Sequence, residues 1–258
     1  MTDQPLTVTF LGTGTSTGVP VIACDCKVCR STDKRDSRLR TSVFVQSGDT
    51  RVVIDCGPDF RMQMLRQKVK NIDAIVFTHS HRDHVAGLDD IRAFNFILNK
   101  SIEVYGKQEV IEDIKTQFPY VFNSNGYLGT PQLTTHIISD KPFTVNEVCF
   151  IPINVEHGPS GIFGYRISYF AYITDASYIQ KEELKKVYGS KVLVINALRH
   201  SRHSSHYSLP EAIAIIKELQ PEKAYLTHIS HFLGLHEEVQ KRLPENLFLA
   251  YDGLKIKI

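Results

Sequence analysis

Short segments rich in β-branched and aromatic residues recur along the chain, and they constrain the fold more than any other feature of the sequence. They read TVTFLG, TSVFVQ, RVVIDC, DAIVFTH, IEVYG, EVCFIPINV, GYRISY, FAYITD, KVLVINA, KAYLTH and LFLAYD. Helical patterns interrupt them at 58–69, 85–97, 180–188, 208–219 and 235–243. The order predicts an α/β protein in which sheet packs on sheet with helices outside. We expect one domain over 1–258 with two similar halves, and a surface loop at 118–131.

Composition excludes several classes of protein. The 258 residues are 42% hydrophobic and 22% charged, and the formal net charge of +2 is too small to indicate attraction to nucleic acid or membranes. No run approaches the roughly 18 apolar residues that span a bilayer. The opening MTDQPLTVTF lacks the basic start and apolar region of a secretory signal. We therefore expect a cytoplasmic protein without membrane association.

Three of the five cysteines, Cys24, Cys26 and Cys29, fall within six residues. In a reducing compartment such a cluster favours a metal site over a disulfide, with an unspecialised surface cluster as the alternative. Cys56 and Cys149 lie in apolar, strand-like runs, and we expect both to be buried packing residues.

Four metal-binding side chains follow the predicted strand IDAIVF in the motif THSHRDH: His79, His81, Asp83 and His84. Because positions two apart in a strand share a face, His79 and His81 are expected to bind one ion together. Imidazole and carboxylate suit zinc, manganese or iron. The alternative is a set of surface histidines at the start of a helix.

Further candidate ligands end other predicted strands: His157 follows IPINVE, Asp175 follows FAYIT and His228 follows KAYLT. Taken singly, each residue could be a cap or a solvated loop residue. Taken together with THSHRDH, they place histidine and aspartate at the carboxyl ends of several apolar strands. This order indicates one composite metal site.

At these residues the chain resembles the metallo-β-lactamase superfamily over essentially its whole length. The resemblance implies an αββα sandwich with two metal ions in the cleft between the sheets. One ion would take His79, His81 and His157. The other would take Asp83, His84 and His228, with Asp175 bridging both and Asp55 orienting a ligand. The motif HxHxDH disfavours the flavo-diiron branch, and aspartate at position 175 disfavours antibiotic hydrolysis.

A dinuclear site of this kind predicts hydrolysis, with Asp83 and His206 as catalytic residues. His206 lies in the basic loop RHSRHSSHYSL at 199–209, which leads to a predicted helix start and suits a phosphate. It resembles the position where phosphodiesterases of the superfamily carry a histidine that contacts phosphate or protonates the leaving oxygen. His203 is the other candidate for substrate binding, and an exposed loop without substrate contact is the alternative.

Within the superfamily, the motifs most resemble the phosphoribosyl cyclic phosphodiesterase group of phosphonate degradation. They are LGTGTSTGVP with CDCKVC, THSHRDHVAGL, LTHISH and the 18-position interval from His157 to Asp175. The resemblance implies that Cys24, Cys26, Cys29 and His231 bind one structural zinc. It also implies two divalent ions, zinc or manganese, in the cleft.

The function predicted is therefore cleavage of small, including cyclic, phosphodiesters. A nuclease for short RNA or DNA ends is one alternative, although nucleic acid is not favoured without a basic arm. A non-hydrolytic relative of the pyrroloquinoline quinone biosynthesis protein is the other. Ribonuclease Z itself fits poorly for want of that arm, and glyoxalase II because only 30 residues follow His228. The natural substrate and the oligomeric state, for which a homodimer is one candidate, stay open.

Overall fold

Strands alternate with short helices along residues 5–123 and 129–258, the ranges that the computed structural model describes. The strands are β1 (Leu6–Gly12), β2 (Ser42–Ser47), β3 (Thr50–Ile54), β4 (Ala74–Val76), β5 (Ile102–Gly106), β6 (Leu133–Ile137), β7 (Phe143–Val145), β8 (Val148–His157), β9 (Ser160–Ile167), β10 (Phe170–Ile173), β11 (Val192–Asn196), β12 (Lys223–Thr227), β13 (Leu247–Leu249) and β14 (Lys255–Lys257). The α-helices are α1 (Phe60–Gln67), α2 (Arg82–Val85), α3 (Arg92–Leu98), α4 (Gln108–Gln117), α5 (Pro119–Phe122), α6 (Lys181–Val187), α7 (Leu209–Leu219) and α8 (His236–Gln240). Short 3-10 helices cover Leu88–Ile91 and His231–Leu233.

The strands form two mixed sheets with the same internal pattern. The first has the order β14-β1-β2-β3-β4-β5-β6, and the second has the order β13-β12-β11-β10-β9-β8-β7. In the first sheet the steps from β14 to β3 are antiparallel and those from β3 to β6 are parallel. In the second, the steps from β7 to β10 are antiparallel and those from β10 to β13 are parallel. The chain thus builds two similar halves.

Three apolar clusters separate four layers. The central cluster joins residues of both sheets, such as Phe10 and Tyr225, whose ring centroids lie 5.7 Å apart. A second cluster packs α1, α3 and α4 on the outer face of the first sheet. A third packs α6, α7 and α8 on the outer face of the second sheet. This layering is the predicted αββα sandwich, and apolar burial between the layers is its main stabilising term.

Helix α7 shows how local sequence sets an element's ends. Ser208 and Glu211 form a capping box, in which each side chain satisfies a backbone N–H of the first turn. Pro210 follows in that turn, where its missing N–H costs nothing. The helix ends where Gln220 turns left-handed. These signals confirm the helix predicted at 208–219 and fix the loop that precedes it.

The single helix predicted at 85–97 is wrong. Helix α2 ends at Val85, and a 3-10 helix at Leu88–Ile91 precedes α3. The Gly87 N–H donates to the carbonyl oxygen of Cys56 at 2.9 Å instead of to the carbonyl four residues back, so the helical hydrogen-bond ladder stops there. Only glycine fits at this position, because an added Cβ would lie 2.1 Å from the carbonyl oxygen of Gly57.

Two further expectations are corrected by strand geometry. Cys149 is exposed, because alternation along β8 turns Val148 and Phe150 to the core and Cys149 away from it. Cys56 is buried as expected. His79 and His81 do not share a strand face, since β4 ends at Val76 and both histidines lie in the loop before α2.

The loop predicted at 118–131 is helical at Pro119–Phe122, and its residues 124–128 lie outside the described ranges. Within the ranges described, no helix combines the length and apolar character needed to cross a membrane.

Candidate metal centre

The candidate ligands lie where strands of both sheets end. Asp55 follows β3, the THSHRDH motif follows β4, and His157 is the last residue of β8. Asp175 and His228 come one or two residues after β10 and β12. Because β3 and β4, and also β10 and β12, run in the same direction within their sheets, their carboxyl ends open on one edge of the sandwich.

The structure gathers these side chains into two clusters whose ligand atoms lie within 4.8 Å of one another. The first cluster is His79, His81 and His157, and the second cluster is Asp83, His84, Asp175 and His228. In the second cluster, His84 Nε2 lies 3.3 Å from Asp83 Oδ2 and 3.3 Å from Asp175 Oδ2. Asp175 also forms a set with His157 and His206, so its carboxylate extends toward the first cluster.

Buried nitrogen atoms without hydrogen-bond partners test whether cations fit these clusters. Among the described residues they include Nε2 of His79, Nε2 of His84 and both ring nitrogens of His228. A buried polar atom left without a partner is costly, so each requires an explanation. The Nε2 atoms of His84 and His228 face carboxylate oxygens in the second cluster. A divalent cation in each cluster would satisfy these Nε2 atoms, and the donor set of imidazole and carboxylate suits zinc or manganese.

Hydrogen bonds to the Nδ1 atoms fix the orientation of three imidazoles, those of His79, His84 and His157. Asp55 Oδ2 lies 2.8 Å from His84 Nδ1, and Asp55 Oδ1 accepts from the Thr78 N–H at 2.8 Å. His79 Nδ1 lies 2.9 Å from Thr78 Oγ1. His157 Nδ1 lies 2.7 Å from the carbonyl oxygen of Ser205 and donates to it. In each case the Nδ1 contact leaves Nε2 directed into the cluster.

The electrostatics of the second cluster favour a cation. Burial would lower the pKa of His84, but Asp175, Asp55 and Asp83 outweigh burial and hold that pKa well above its usual range. Burial likewise opposes the charge on His228, yet Asp175 raises its pKa to about 9. The same carboxylates that hold protons on these imidazoles would hold a divalent cation in their place.

The first cluster has a different electrostatic character. Burial lowers the pKa of His79 well below its usual range, and the neighbouring His84 acts in the same direction. Burial also lowers the pKa of His81, and His157 adds to the effect. Neutral imidazole is the form that binds metal, so His79 and His81 need release no proton to do so at neutral pH.

The histidine-rich loop reaches the second cluster through His206. Its Nε2 lies 3.1 Å from Asp175 Oδ1, and its ring stacks on His228 with centroids 4.8 Å apart. His203 stands behind it, with the two Nδ1 atoms 3.3 Å apart. Ser205 Oγ lies 3.0 Å from His206 Nδ1. Of the two candidates for substrate contact, His206 lies nearer the second cluster.

The cysteine cluster surrounds one histidine from the far end of the chain. The Sγ atoms of Cys24, Cys26 and Cys29 lie 3.3, 3.5 and 3.3 Å from His231 Nδ1. Tetrahedral zinc with ordinary bond lengths separates sulfur and nitrogen ligands by roughly 3.6 Å. The Cys29 N–H donates to Cys26 Sγ and lowers the pKa of that thiol to about 6, whereas burial raises the pKa of the Cys29 thiol to about 11, so Cys26 is the first of the two to form a metal-binding thiolate. Spacing and chemistry both fit a closed zinc site, which we call the clip.

Sequence reasoning missed the contacts that helix α4 makes with the motif loop. Asp113 Oδ2 accepts from Ser80 Oγ at 2.6 Å, and Gln117 Nε2 donates to the Ser80 carbonyl oxygen at 3.1 Å. Ser80 lies between His79 and His81, two of the three histidines of the first cluster. The spacing of Val110, Ile111 and Ile114 could have predicted the helix, but no local pattern indicates its contact with Ser80.

Comparisons with known proteins agree with this architecture. The profile of the Beta-lactamase superfamily domain matches residues 50–229. The crystal structure of a new diphosphatase from the PhnP family superposes with a TM-score of 0.93 and is 41% identical, covering 98% of this chain and 97% of that one. The chain therefore belongs to the beta-lactamase superfamily and has the metallo-β-lactamase fold.

Two curated relatives add further similarity. An octanoyltransferase of Porphyromonas gingivalis is 40% identical over 249 residues, which cover 95% of this chain. The chain spans only about half, 50%, of that relative's length. A ribonuclease Z of Borrelia recurrentis is 24% identical over 302 aligned positions, covering 86% of this chain and 92% of the relative. The family thus includes proteins that act on nucleic acid.

Proposed function

We propose that the chain is a dinuclear, metal-dependent phosphodiesterase that cleaves small phosphodiesters, cyclic ones included. One observation carries the proposal. Buried imidazole nitrogens of His79, His84 and His228 that make no well-aligned hydrogen bond converge beside the carboxylates Asp83 and Asp175, within reach of an additional imidazole. Unsatisfied imidazoles beside carboxylates are the arrangement that a pair of divalent cations requires.

The proposed ligand sets follow the two clusters. His79, His81 and His157 hold one cation; Asp83, His84 and His228 hold the other, and Asp175 is shared. Zinc and manganese both suit these donors. When bound, two such cations lower the pKa of a shared water and offset the negative charge of phosphoryl oxygens. The clip holds one structural zinc.

Three side chains of the protein orient the attacking water and bind the substrate in this proposal. Asp83 is the more exposed carboxylate of the second cluster, at 14% against 3% for Asp175, so it can accept a hydrogen bond from a water in the cleft and orient it. His206 donates from Nε2 to a phosphoryl or leaving-group oxygen. His203 fixes the ring of His206 through their Nδ1 contact and lies close enough to share in substrate binding.

Metal analysis and substrate screening test the proposal together. We expect one zinc that survives dialysis, up to two exchangeable cations, and hydrolysis of bis(p-nitrophenyl) phosphate. A panel of cyclic ribose phosphates, cyclic nucleotides and short oligonucleotides then defines the substrate. A chain that fills one metal site and is inert on every ester after zinc and manganese addition refutes the proposal and favours a non-hydrolytic role in cofactor biosynthesis.

The His206→Ala variant tests the assigned acid. Nitrophenolate leaves as a stable anion, whereas an alkoxide must be protonated as it leaves. We therefore expect kcat to fall by about a hundredfold for alkyl phosphodiesters and much less for the nitrophenyl ester. Unchanged kcat on alkyl esters, with full metal content, would exclude this role for His206.

A second candidate substrate class is a diphosphate, because the 41% identical structure is that of a diphosphatase. A P–O–P linkage presents the same phosphoryl oxygens and leaving oxygen to the site. Measuring kcat/KM side by side for diphosphate esters and for phosphodiesters decides between these two substrate classes. Short RNA ends test a nuclease role like that of the ribonuclease Z relative. We propose no acyl transfer, because this chain spans half of the octanoyltransferase.

Organisation and location complete the proposal. We infer one hydrolase domain over 1–258, acting in the cytoplasm on a small-molecule substrate. Size-exclusion chromatography with light scattering distinguishes the homodimer from a monomer.

A further inference from the structure

His200 is a histidine of the 199–209 loop to which the proposed function gives no part. Its Nε2 donates to the carbonyl oxygen of Leu233 at 2.8 Å. Ser230 donates twice to the carbonyl oxygen of Leu198, from its N–H at 3.1 Å and from Oγ at 2.7 Å. Three hydrogen bonds therefore join the start of the histidine-rich loop to residues 230–233, more than 30 positions later in the chain.

Residues 230–233 are also the segment that carries the clip histidine. The 3-10 helix begins with His231 and ends with Leu233, and the Ser230 side chain caps it by accepting from the Phe232 N–H. The three cysteine sulfurs surround His231 at 3.3 to 3.5 Å. The carbonyl that receives the bond from His200 thus stands two residues from the clip, within the same turn.

The other end of the loop meets the metal centre. The Ser205 carbonyl accepts from His157 Nδ1 at 2.7 Å, and His206 Nε2 lies 3.1 Å from Asp175 Oδ1. Between these two anchors, the side chains of Ser201, Arg202 and Ser204 are exposed. Backbone hydrogen bonds from Leu198 to Tyr207 and from Leu209 to Arg199 close the base of the loop, so loss of the His200 contact would widen the range of positions open to residues 201–206 without releasing the loop.

We propose that His200 is a positioning residue that couples the clip to His206, so that the structural zinc sets the place of the imidazole that contacts phosphate. The inference rests on the proposed function for the role of His206, and on the observed contacts for the coupling. Misplacement of a catalytic group by about 1 Å can cost up to 10²-fold in rate. The clip therefore affects the chemistry without touching the substrate.

The matched variants are His200→Leu, which removes the donor, and His200→Gln, whose amide can restore it. Ser201→Ala, at an exposed neighbouring position, is the control. In the metal-loaded full chain, we expect His200→Leu to speed hydrogen exchange of the amides of residues 201–206 by about tenfold and to lower kcat for alkyl phosphodiesters by about tenfold. His200→Gln and Ser201→Ala should stay within about twofold. Rescue by glutamine would show that the hydrogen bond to the Leu233 carbonyl, and not the bulk of the imidazole, carries the effect.

A double-mutant cycle tests the coupling itself. Cys26→Ser opens the clip at its exposed cysteine, and we expect it to speed exchange in 201–206 on its own but to add nothing in the His200→Leu background. Additive effects, or unchanged exchange in His200→Leu, overturn the proposal. Exchange is measured without substrate. A protein inactive on all phosphodiesters and diphosphates would thus refute the proposed function and still decide the coupling.

Discussion

Three residues of the candidate site have left-handed backbone conformations. The φ angles are +64° at Asp55, +58° at Asp175 and +54° at His228. Such angles cost a residue with a side chain roughly 1–2 kcal/mol, and they cluster at functional sites because the surrounding structure enforces them. Each follows the end of a strand, where the sharp turn swings a carboxylate or imidazole into the cleft. The strained backbone at these three residues therefore lowers local stability and directs their side chains into the cleft.

Asp175 offers a direct measurement of that cost. Asp175→Gly and Asp175→Ala both remove the carboxylate, but only alanine keeps a Cβ at φ +58°. After allowance for the greater freedom of unfolded glycine, we expect the glycine variant to be more stable by about 1 kcal/mol. Urea denaturation of the metal-free variants measures the difference. An alanine variant of equal or greater stability would show that the turn stores no strain.

His236 makes stability depend on pH at a place away from the metal clusters. It is buried beside Arg38, with Arg35, Asp33 and Asp36 nearby, and burial together with Arg38 lowers its pKa from 6.5 to about 4. The unfolded chain therefore binds this proton more readily than the folded one between pH 6.5 and 4. Stability should fall as pH falls through that window, by on the order of 3 kcal/mol in all.

The matched variant for this prediction is His236→Asn. Its side-chain oxygen can accept the bond that His236 Nδ1 accepts from Arg38 Nη2, at 3.2 Å in the structure, but it does not titrate. Denaturant titrations between pH 4.5 and 7 should give a shallower loss of stability for the variant than for the wild type. Identical slopes would assign the acid sensitivity to other groups.

At the scale of elements, helix α4 acts as a brace for the loop between β4 and α2. Asp113 and Gln117 hold Ser80 from its side chain and from its carbonyl. His81, the next residue, is exposed, and its carbonyl oxygen accepts from the N–H groups of His84 and Val85. The two hydrogen bonds from α4 thus hold the motif loop in place at a position where it is open to solvent.

We expect Asp113→Ala to weaken cation binding at the first cluster by about tenfold, while the clip keeps its zinc. Asp113→Asn retains an acceptor for Ser80 Oγ and should bind nearly as the wild type does. Glu112→Ala, at an exposed position on the same helix, is the control. Isothermal titration of the metal-depleted protein with Mn²⁺ reads the affinity. Equal weakening of both cleft sites would point to general damage instead of a brace.

The elements also show how far sequence reasoning reaches. The strands and the sandwich could be predicted because apolar periodicity reports burial directly, and the cleft residues could be found because they follow apolar strands. The break in the helix at Gly87 could not be predicted, since it depends on a hydrogen bond to the distant Cys56 carbonyl. The contacts of Ser80 and His200 are likewise tertiary. His231 could be paired with the cysteines only through a family resemblance, across 202 positions from Cys29.

At the scale of the whole molecule, each candidate metal site joins distant parts of the chain. The clip links the N-terminal cysteine loop to the turn after β12, and Lys27 adds an exposed ion pair to Glu238. Exposed pairs contribute little, so the sulfur–histidine contacts are the effective link. The clip therefore fastens a long loop that has few strands of its own to the second half of the sandwich.

We expect His231→Ala to lose the zinc that survives dialysis and to keep the exchangeable cations. A zinc concentration a thousandfold above the dissociation constant stabilises the folded chain by about 4 kcal/mol, and the variant forgoes that contribution. Elemental analysis and thermal denaturation measure both effects, with Lys181→Ala, at an exposed position, as control. Retention of tight zinc in His231→Ala would assign the metal to other ligands.

Both cleft clusters take side chains from both sheets, and this has a kinetic consequence. His79 and His81 come from the first sheet and His157 from the second, and the second cluster is divided in the same way. Neither half alone can present a complete set of ligands, so a cation recognises the chain only after the sheets have docked. Cleft metals should then leave the rate of folding nearly unchanged and slow the rate of unfolding. The protein's lifetime in the cell would in that way follow the local supply of metal.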